Sequence, residues 1–169
     1  MKKTITTIGM AMLMSITAIV FNGCKGKDGA PGATGPAGAQ GNANVLVSTG
    51  TTTNASWSFN STYNEWDAIF NDSDISSAVV STGTMQVFIG DGTGTNWSAM
   101  PLSYQGTEFN YTYGVGQVQL QVTLSSGTAP TNPGGLQFKF VVIPSRSLIA
   151  NPNVNIKDYT SLQKVFNIK

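Results

Sequence analysis

GQVQLQVTLSSG, residues 116–127, is the stretch that decides the fold. Its aliphatic residues alternate with Gln and Thr, and they are Val118, Leu120, Val122 and Leu124. Because successive side chains of an extended chain point to opposite faces, the aliphatic set falls on one face and the polar set on the other. Such alternation is typical of a strand half-buried in an antiparallel sheet. The closing Ser-Ser-Gly is a turn signal, so the segment predicts one strand and the turn after it.

The same alternation recurs along residues 44–169. The longer cases are FNYTY at 109–113, LQFKFVVIP at 136–144 and MQVFIG at 85–90. Shorter candidates are NVLVST at 44–49, SWSFN at 56–60, EWDAIF at 65–70 and MPLSYQ at 100–105. Seven or eight short strands separated by Gly, Asn and Ser turns predict a mainly β, antiparallel sandwich of the jelly-roll kind.

Two segments interrupt the strands with helical signals. Residues 74–83, DISSAVVSTG, open with Asp74 as the predicted N-cap and close near Gly83. Residues 158–169 open with Asp158, and the apolar residues that follow on one helical face are Tyr159, Leu162, Val165 and Phe166. We expect this short C-terminal helix to close one end of the sandwich.

The composition excludes several kinds of chemistry. There is no histidine, which excludes Ser-His-Asp and Cys-His catalysis and every His-ligated metal site. A single cysteine permits no intrachain disulfide. The net charge of +1 favours no nucleic-acid partner. We expect no cofactor and no metal.

The first 23 residues read as a secretory signal. Lys2 and Lys3 form a positive start, and residues 4–23 carry no charge. Cys24 follows small Gly23 at the end of the apolar stretch. This arrangement resembles the lipobox of bacterial lipoproteins, in which the cysteine is lipidated and becomes the new N-terminus. An uncleaved transmembrane anchor is the less favoured alternative, because Thr, Ser and Gly dilute the apolar stretch.

Residues 24–43 contain a collagen-like repeat with glycine at every third position. The glycines are Gly26, Gly29, Gly32, Gly35, Gly38 and Gly41. This period belongs to the triple helix, where only glycine fits at the axis. A run this short forms at best a marginal triple helix. We therefore favour a spacer role over an obligate triple helix. A homotrimer remains the alternative if the C-terminal domain itself trimerises.

Taken together, these features resemble the collagen-like-repeat lipoproteins of Bacteroidota. The similarity rests on the lipoprotein signal, the Gly-X-Y run ending in GNANV at 41–45, and the closing residues 138–169. It implies a lipid anchor in the cell envelope. Lys25, rather than Asp, after the cysteine suggests the outer membrane by similarity to lipoprotein sorting. The family brings no activity and no site residues with it.

Three sets of residues in the β-rich part are candidate sites. Glu65 and Asp67, with Glu108, are the candidate acid–base carboxylates, but a solvated strand face explains the first two better. Asp72, Asp74 and Asp91 carry oxygens for calcium, although turns and caps account for them. The tryptophans Trp57, Trp66 and Trp97 are expected in the core or at sheet edges, and an exposed carbohydrate-binding platform is the alternative.

The resulting expectation is a non-enzymatic outer-membrane lipoprotein with an adhesion, binding or structural role. Its ligand would be an extracellular glycan or protein. A carbohydrate-binding module for surface glycan capture is the alternative, and a glycan hydrolase is a third hypothesis that requires two carboxylates facing each other across a cleft.

Overall fold

The computed structural model describes residues 44–168. The predicted signal peptide, the lipidated Cys24 and the glycine run all lie outside these residues and stay predictions. The described residues form nine strands and three short α-helices. The prediction of a mainly β, antiparallel sandwich with a short C-terminal helix is therefore confirmed.

The elements follow one another with short connections. The strands are β1 (Leu46–Thr51), β2 (Ser58–Asn60), β3 (Glu65–Asn71), β4 (Thr84–Gly90), β5 (Trp97–Ala99), β6 (Leu102–Tyr104), β7 (Thr107–Gly114), β8 (Gln117–Leu124) and β9 (Gln137–Ile143). The helices are α1 (Ser77–Thr82), α2 (Ser145–Ala150) and α3 (Tyr159–Phe166). A 3₁₀ turn occupies Asn54–Ser56.

The strands form two antiparallel sheets. The four-stranded sheet has the order β1-β9-β4-β5, and the five-stranded sheet has the order β2-β3-β8-β7-β6. Short strands occupy three of the four edges, namely β2, β5 and β6, which limits the backbone left open to pairing with another chain.

The main core lies between the two sheets. The alternating stretch at residues 116–127 contains β8, the middle strand of the five-stranded sheet, and Val118, Leu120 and Val122 are almost fully buried. Phe138 and Phe140 of β9 face them from the other sheet within the same cluster. The predicted inward face of FNYTY also packs against this cluster. Alternation therefore located the strands and their inward faces correctly.

A second core lies on the outer face of the four-stranded sheet. Phe88, Val141 and Ile143 point away from the first core and pack against α3. The expectation that α3 closes one end of the sandwich was wrong, because the helix covers this sheet face instead. Val165 was also wrongly assigned to its buried face, since it is 37% exposed. Consecutive residues of β4 and β9 are buried, which indicates that both faces of these strands are covered.

The helix ends correct one further prediction. Ser76, rather than Asp74, is the N-cap of α1, and its hydroxyl accepts from the backbone N–H of Val79. Gly83 ends that helix as predicted. Asp158 caps α3 as predicted, because its carboxylate accepts from the backbone N–H of Thr160.

One glycine is required by the packing between the sheets. A Cβ at Gly50 in β1 would lie 2.5 Å from the Phe70 ring of the opposing sheet. Phe70 packs at 5.1 Å, centroid to centroid, from Phe140. Glycine thus leaves room for an aromatic ring from the other sheet.

Candidate functional site

A cleft of about 770 Å³ opens at one end of the sandwich, and its volume falls in the range of small-molecule sites. The ends of β1 and β4, the start of β9, and strands β5, β6 and β7 surround it. Its apolar lining consists of Ile89, Leu102, Tyr104, Phe109 and Leu136. The polar residues along it are Thr51, Asp91, Ser98 and Gln137, but alternation turns the side chains of the paired Thr51 and Gln137 to the outer face of their sheet.

The cleft exists because the two sheets do not cover each other fully at this edge. Leu102 and Tyr104 alternate with Ser103 in β6, and Leu102 pairs with inward-facing Phe109 of β7. Tyr104 therefore lies on the face that turns toward the core. Yet its side chain is 61% exposed. The edge strand of the other sheet, β5, is only three residues long, and its Ser98 lines the same cleft.

A tight turn fixes the position of Tyr104. Gln105 and Gly106 both have positive φ, 50° and 79°, and together they join β6 to β7. Positive φ at both central residues is the geometry of a type I′ hairpin, which sets the register of the two strands. The Gln105 amide nitrogen also lies 3.2 Å from the Tyr104 hydroxyl oxygen, to which it donates.

A structured loop presents Asp91 at the rim. The Asp91 carboxylate accepts from the backbone N–H and hydroxyl of Thr93, at 2.9 and 2.6 Å, and from the Asn96 amide at 2.6 Å. The hydrogen bond from the Thr93 side chain, followed by the one from Asn96, lowers the pKa of Asp91 to about 2. The group is therefore an ionised acceptor at neutral pH, and it is unsuited to act as a general acid.

A smaller hollow of about 350 Å³ shares Phe109 and Leu136 with the cleft. Its other side is the loop that joins β8 to β9, including Pro130 and Pro133. Two tryptophans hold this loop. The indole N–H of Trp57 donates to the Gly134 carbonyl at 2.8 Å, and that of Trp66 donates to the Pro130 carbonyl at 3.0 Å.

The structure does not bring the three tryptophans together. Trp57 is buried in the main core, and Trp66 packs on that core from β3. Trp97 lies on the outer face of the four-stranded sheet, where the Lys139 ammonium sits 4.5 Å from its ring centroid. These three rings do not form a flat surface on which a sugar could stack. A glycan site would therefore need other aromatic side chains.

The candidate carboxylates lie away from the cleft. Glu65 and Asp67 project on the outer face of the five-stranded sheet, as the alternation predicted, and Glu108 projects on the same face from β7. Glu108 accepts from the Ser103 hydroxyl at 2.7 Å. The three groups share one open sheet face rather than opposite walls of a cleft, which is not the arrangement of a glycosidase pair.

Glu65 is more buried than a solvated strand face implies. Its side chain is 9% exposed, and burial, followed by the negative charge of Asp67, raises its pKa; a hydrogen bond from Gln121 opposes the rise. One oxygen of Asp67, Oδ1, is buried and has no hydrogen-bond partner among the described residues. The carboxylates of Glu65 and Asp67 therefore repel each other on this sheet face.

Of the candidate calcium ligands, Asp72 and Asp91 accept hydrogen bonds in turns. Asp72 accepts from the backbone N–H of Asp74 at 2.9 Å and from the Ser48 hydroxyl at 2.8 Å. Asp91 organises its own loop, as described above. Within residues 44–168, no three acidic or cysteine side chains gather in a way that could hold a metal ion.

Comparisons with known proteins give no relative: no family model, no curated protein and no solved structure matches the chain. In the described part of the chain, none of the helices has the length and apolar character needed to cross a bilayer. The similarity to collagen-like-repeat lipoproteins therefore stays a prediction.

Sequence reasoning missed the cleft and Tyr104. The signal was present in MPLSYQGTEF, residues 100–109, where a three-residue strand precedes a Gln-Gly turn. Such a short edge strand is easily left uncovered by the opposing sheet. The sequence alone does not show how far the two sheets overlap.

Proposed function

We propose that this chain is a non-enzymatic lipoprotein of the bacterial outer membrane. Its β-sandwich acts as a binding module, and the Gly-X-Y run acts as a spacer between that module and the lipid. Cys24 carries the acyl chains. Several acyl chains on one residue hold a protein stably on a bilayer, whereas one chain does not.

The observation that carries the binding role is the cleft at the end of the sandwich. It combines an apolar floor with a few polar side chains, which is the usual make-up of a ligand site. Rigid strands form its walls, and the tight β6–β7 turn positions its exposed ring. The candidate acid–base carboxylates Glu65, Asp67 and Glu108 lie on the outer face of the five-stranded sheet, away from the cleft.

Expression of the full chain with a C-terminal epitope tag in a Bacteroidota host tests the anchor and the location. We expect palmitate labelling, co-sedimentation with outer membranes, and retention of the epitope in the membrane fraction. The matched control is Cys24→Ser, which should lose the label and leave the outer-membrane fraction. Equal labelling and fractionation of the two chains would refute the proposal.

A further inference from the structure

We propose that the cleft binds a neutral sugar residue of a glycan, with the apolar face of the sugar ring stacked on Tyr104. This inference rests on the proposed binding role, and it names both the ligand class and the residue that contacts it. The lipid anchor is not needed for it, so a failure of the sugar-binding test leaves the anchor and the outer-membrane location untouched.

The first step is the unusual exposure of Tyr104. Residues on the core-facing side of a sandwich strand are normally covered by the opposite sheet. Leu102, two positions earlier on the same face, packs against the core in this way. Tyr104 is instead 61% exposed, at the wall of a cleft that already has an apolar floor. An exposed aromatic ring in a concave site suits a ligand with a flat apolar face.

The second step is the polar complement around the ring. Ser98 lines the cleft from β5, where it pairs with core-facing Ile89. Its hydroxyl can both donate to a sugar hydroxyl and accept from one.

The third step is charge. The ionised Asp91 carboxylate stands at the rim, and no lysine or arginine is among the residues that line the cleft. An anionic sugar such as a uronic acid would meet repulsion and no compensating cation. A neutral sugar avoids that penalty, and its hydroxyls can donate to Asp91.

The other exposed surfaces lack this combination. The outward-facing positions of β3, β7 and β8 carry amides and carboxylates, and none of them carries an aromatic ring. Tyr63 is as open as Tyr104, at 69% exposed, but it lies in the β2–β3 turn outside the cleft. Tyr63 is therefore a matched control for an exposed tyrosine.

The test is calorimetric titration of the full chain, purified in a zwitterionic detergent without a sugar headgroup. The probes are cellohexaose, mannohexaose and laminarihexaose as neutral oligosaccharides, and hexagalacturonate as an acidic one. We expect at least one neutral probe to bind and hexagalacturonate not to bind. Tyr104→Ala should weaken that binding by about tenfold or more, because it removes the stacking surface.

Two variants separate stacking from other effects. Tyr104→Phe keeps the ring and should stay within about threefold of the unaltered chain. Tyr63→Ala should bind like the unaltered chain. Both alanine variants change exposed side chains, and matching urea midpoints would verify that they remain folded.

Three results would overturn the inference. One is the absence of binding to all the neutral probes at 10 mM. Another is binding that Tyr104→Ala leaves unchanged. The third is tighter binding of hexagalacturonate than of every neutral probe, since this would contradict the charge argument.

Discussion

The Lys139 ammonium lies 4.2 Å from the ring centroid of Tyr159 and donates a hydrogen bond to its hydroxyl at 3.0 Å. Lys139 belongs to β9, and Tyr159 is the first residue of α3. The same ammonium lies 4.5 Å from the Trp97 ring centroid in β5. One side chain therefore joins three elements on the outer face of the four-stranded sheet, and it contributes to holding the C-terminal helix there.

Removing that ammonium should destabilise the fold. Lys139→Met keeps an apolar stem of similar length and loses the cation, so we expect the free energy of unfolding to fall by about 1 kcal/mol. Urea denaturation of the two chains measures the change. Lys157→Met, which removes the charge of an exposed lysine, should be near neutral. Equal midpoints for Lys139→Met and the unaltered chain would contradict the role assigned to the contact.

Removing the charge of Glu65 should stabilise the protein at neutral pH. Burial and the neighbouring Asp67 raise its pKa in the folded state. A raised folded pKa means that the carboxyl favours folding while it is protonated, and that this benefit is lost as the pH rises through the folded pKa. Glu65→Gln should therefore have a higher urea midpoint than the unaltered chain at pH 7, and the difference should shrink toward zero below the ordinary pKa of 4.5.

The control for Glu65 is Glu108→Gln, which removes one negative charge from the same sheet face. Glu108 is less buried and is bonded by Ser103, so no comparable gain is expected. If Glu65→Gln gains nothing at pH 7, or gains as much at pH 4 as at pH 7, the electrostatic explanation is wrong.

The loop between β8 and β9 should depend on the Trp57 indole. Trp57→Phe loses the hydrogen bond to Gly134 and part of a buried ring, so we expect a loss of about 2 kcal/mol in stability. Limited proteolysis should then cut the loop near residues 126–134 sooner. The Trp66 ring is only partly buried, so Trp66→Phe should lower the stability by less than Trp57→Phe does. A Trp57→Phe variant as stable as the unaltered chain would exclude this role.

The glycine run should behave as a spacer rather than as an obligate triple helix. We expect the full chain in detergent to sediment as a monomer at micromolar protein concentration, because so short a repeat provides little to offset the entropy of association. Gly32→Ala should leave this unchanged. A trimer that Gly32→Ala dissociates would show instead that the run forms a triple helix.

Alternation of side chains was sufficient to predict the main core. The spacing of Val118, Leu120 and Val122 places them on one face whatever the tertiary structure is, because the period of a strand is two. Phe138 and Phe140 follow the same rule, and both are buried.

What alternation could not predict is how the layers cover one another. In β9, Val141 and Ile143 are apolar on the second face, but the position of α3 over that face depends on long-range contacts such as that between Lys139 and Tyr159. The exposure of Tyr104 is likewise a matter of tertiary structure, because Leu102 on the same face of β6 packs on the core and Tyr104 does not. The candidate site therefore depends on how far the two sheets overlap, whereas the local pattern at residues 100–109 indicates only a short strand and a turn.

Intact-mass spectrometry of the chain recovered from outer membranes tests the lipoprotein assignment most directly. The account predicts that residues 1–23 have been removed and that the new N-terminal Cys24 carries fatty acyl groups. A mass equal to that of all 169 residues, with an unmodified thiol at Cys24, would contradict it.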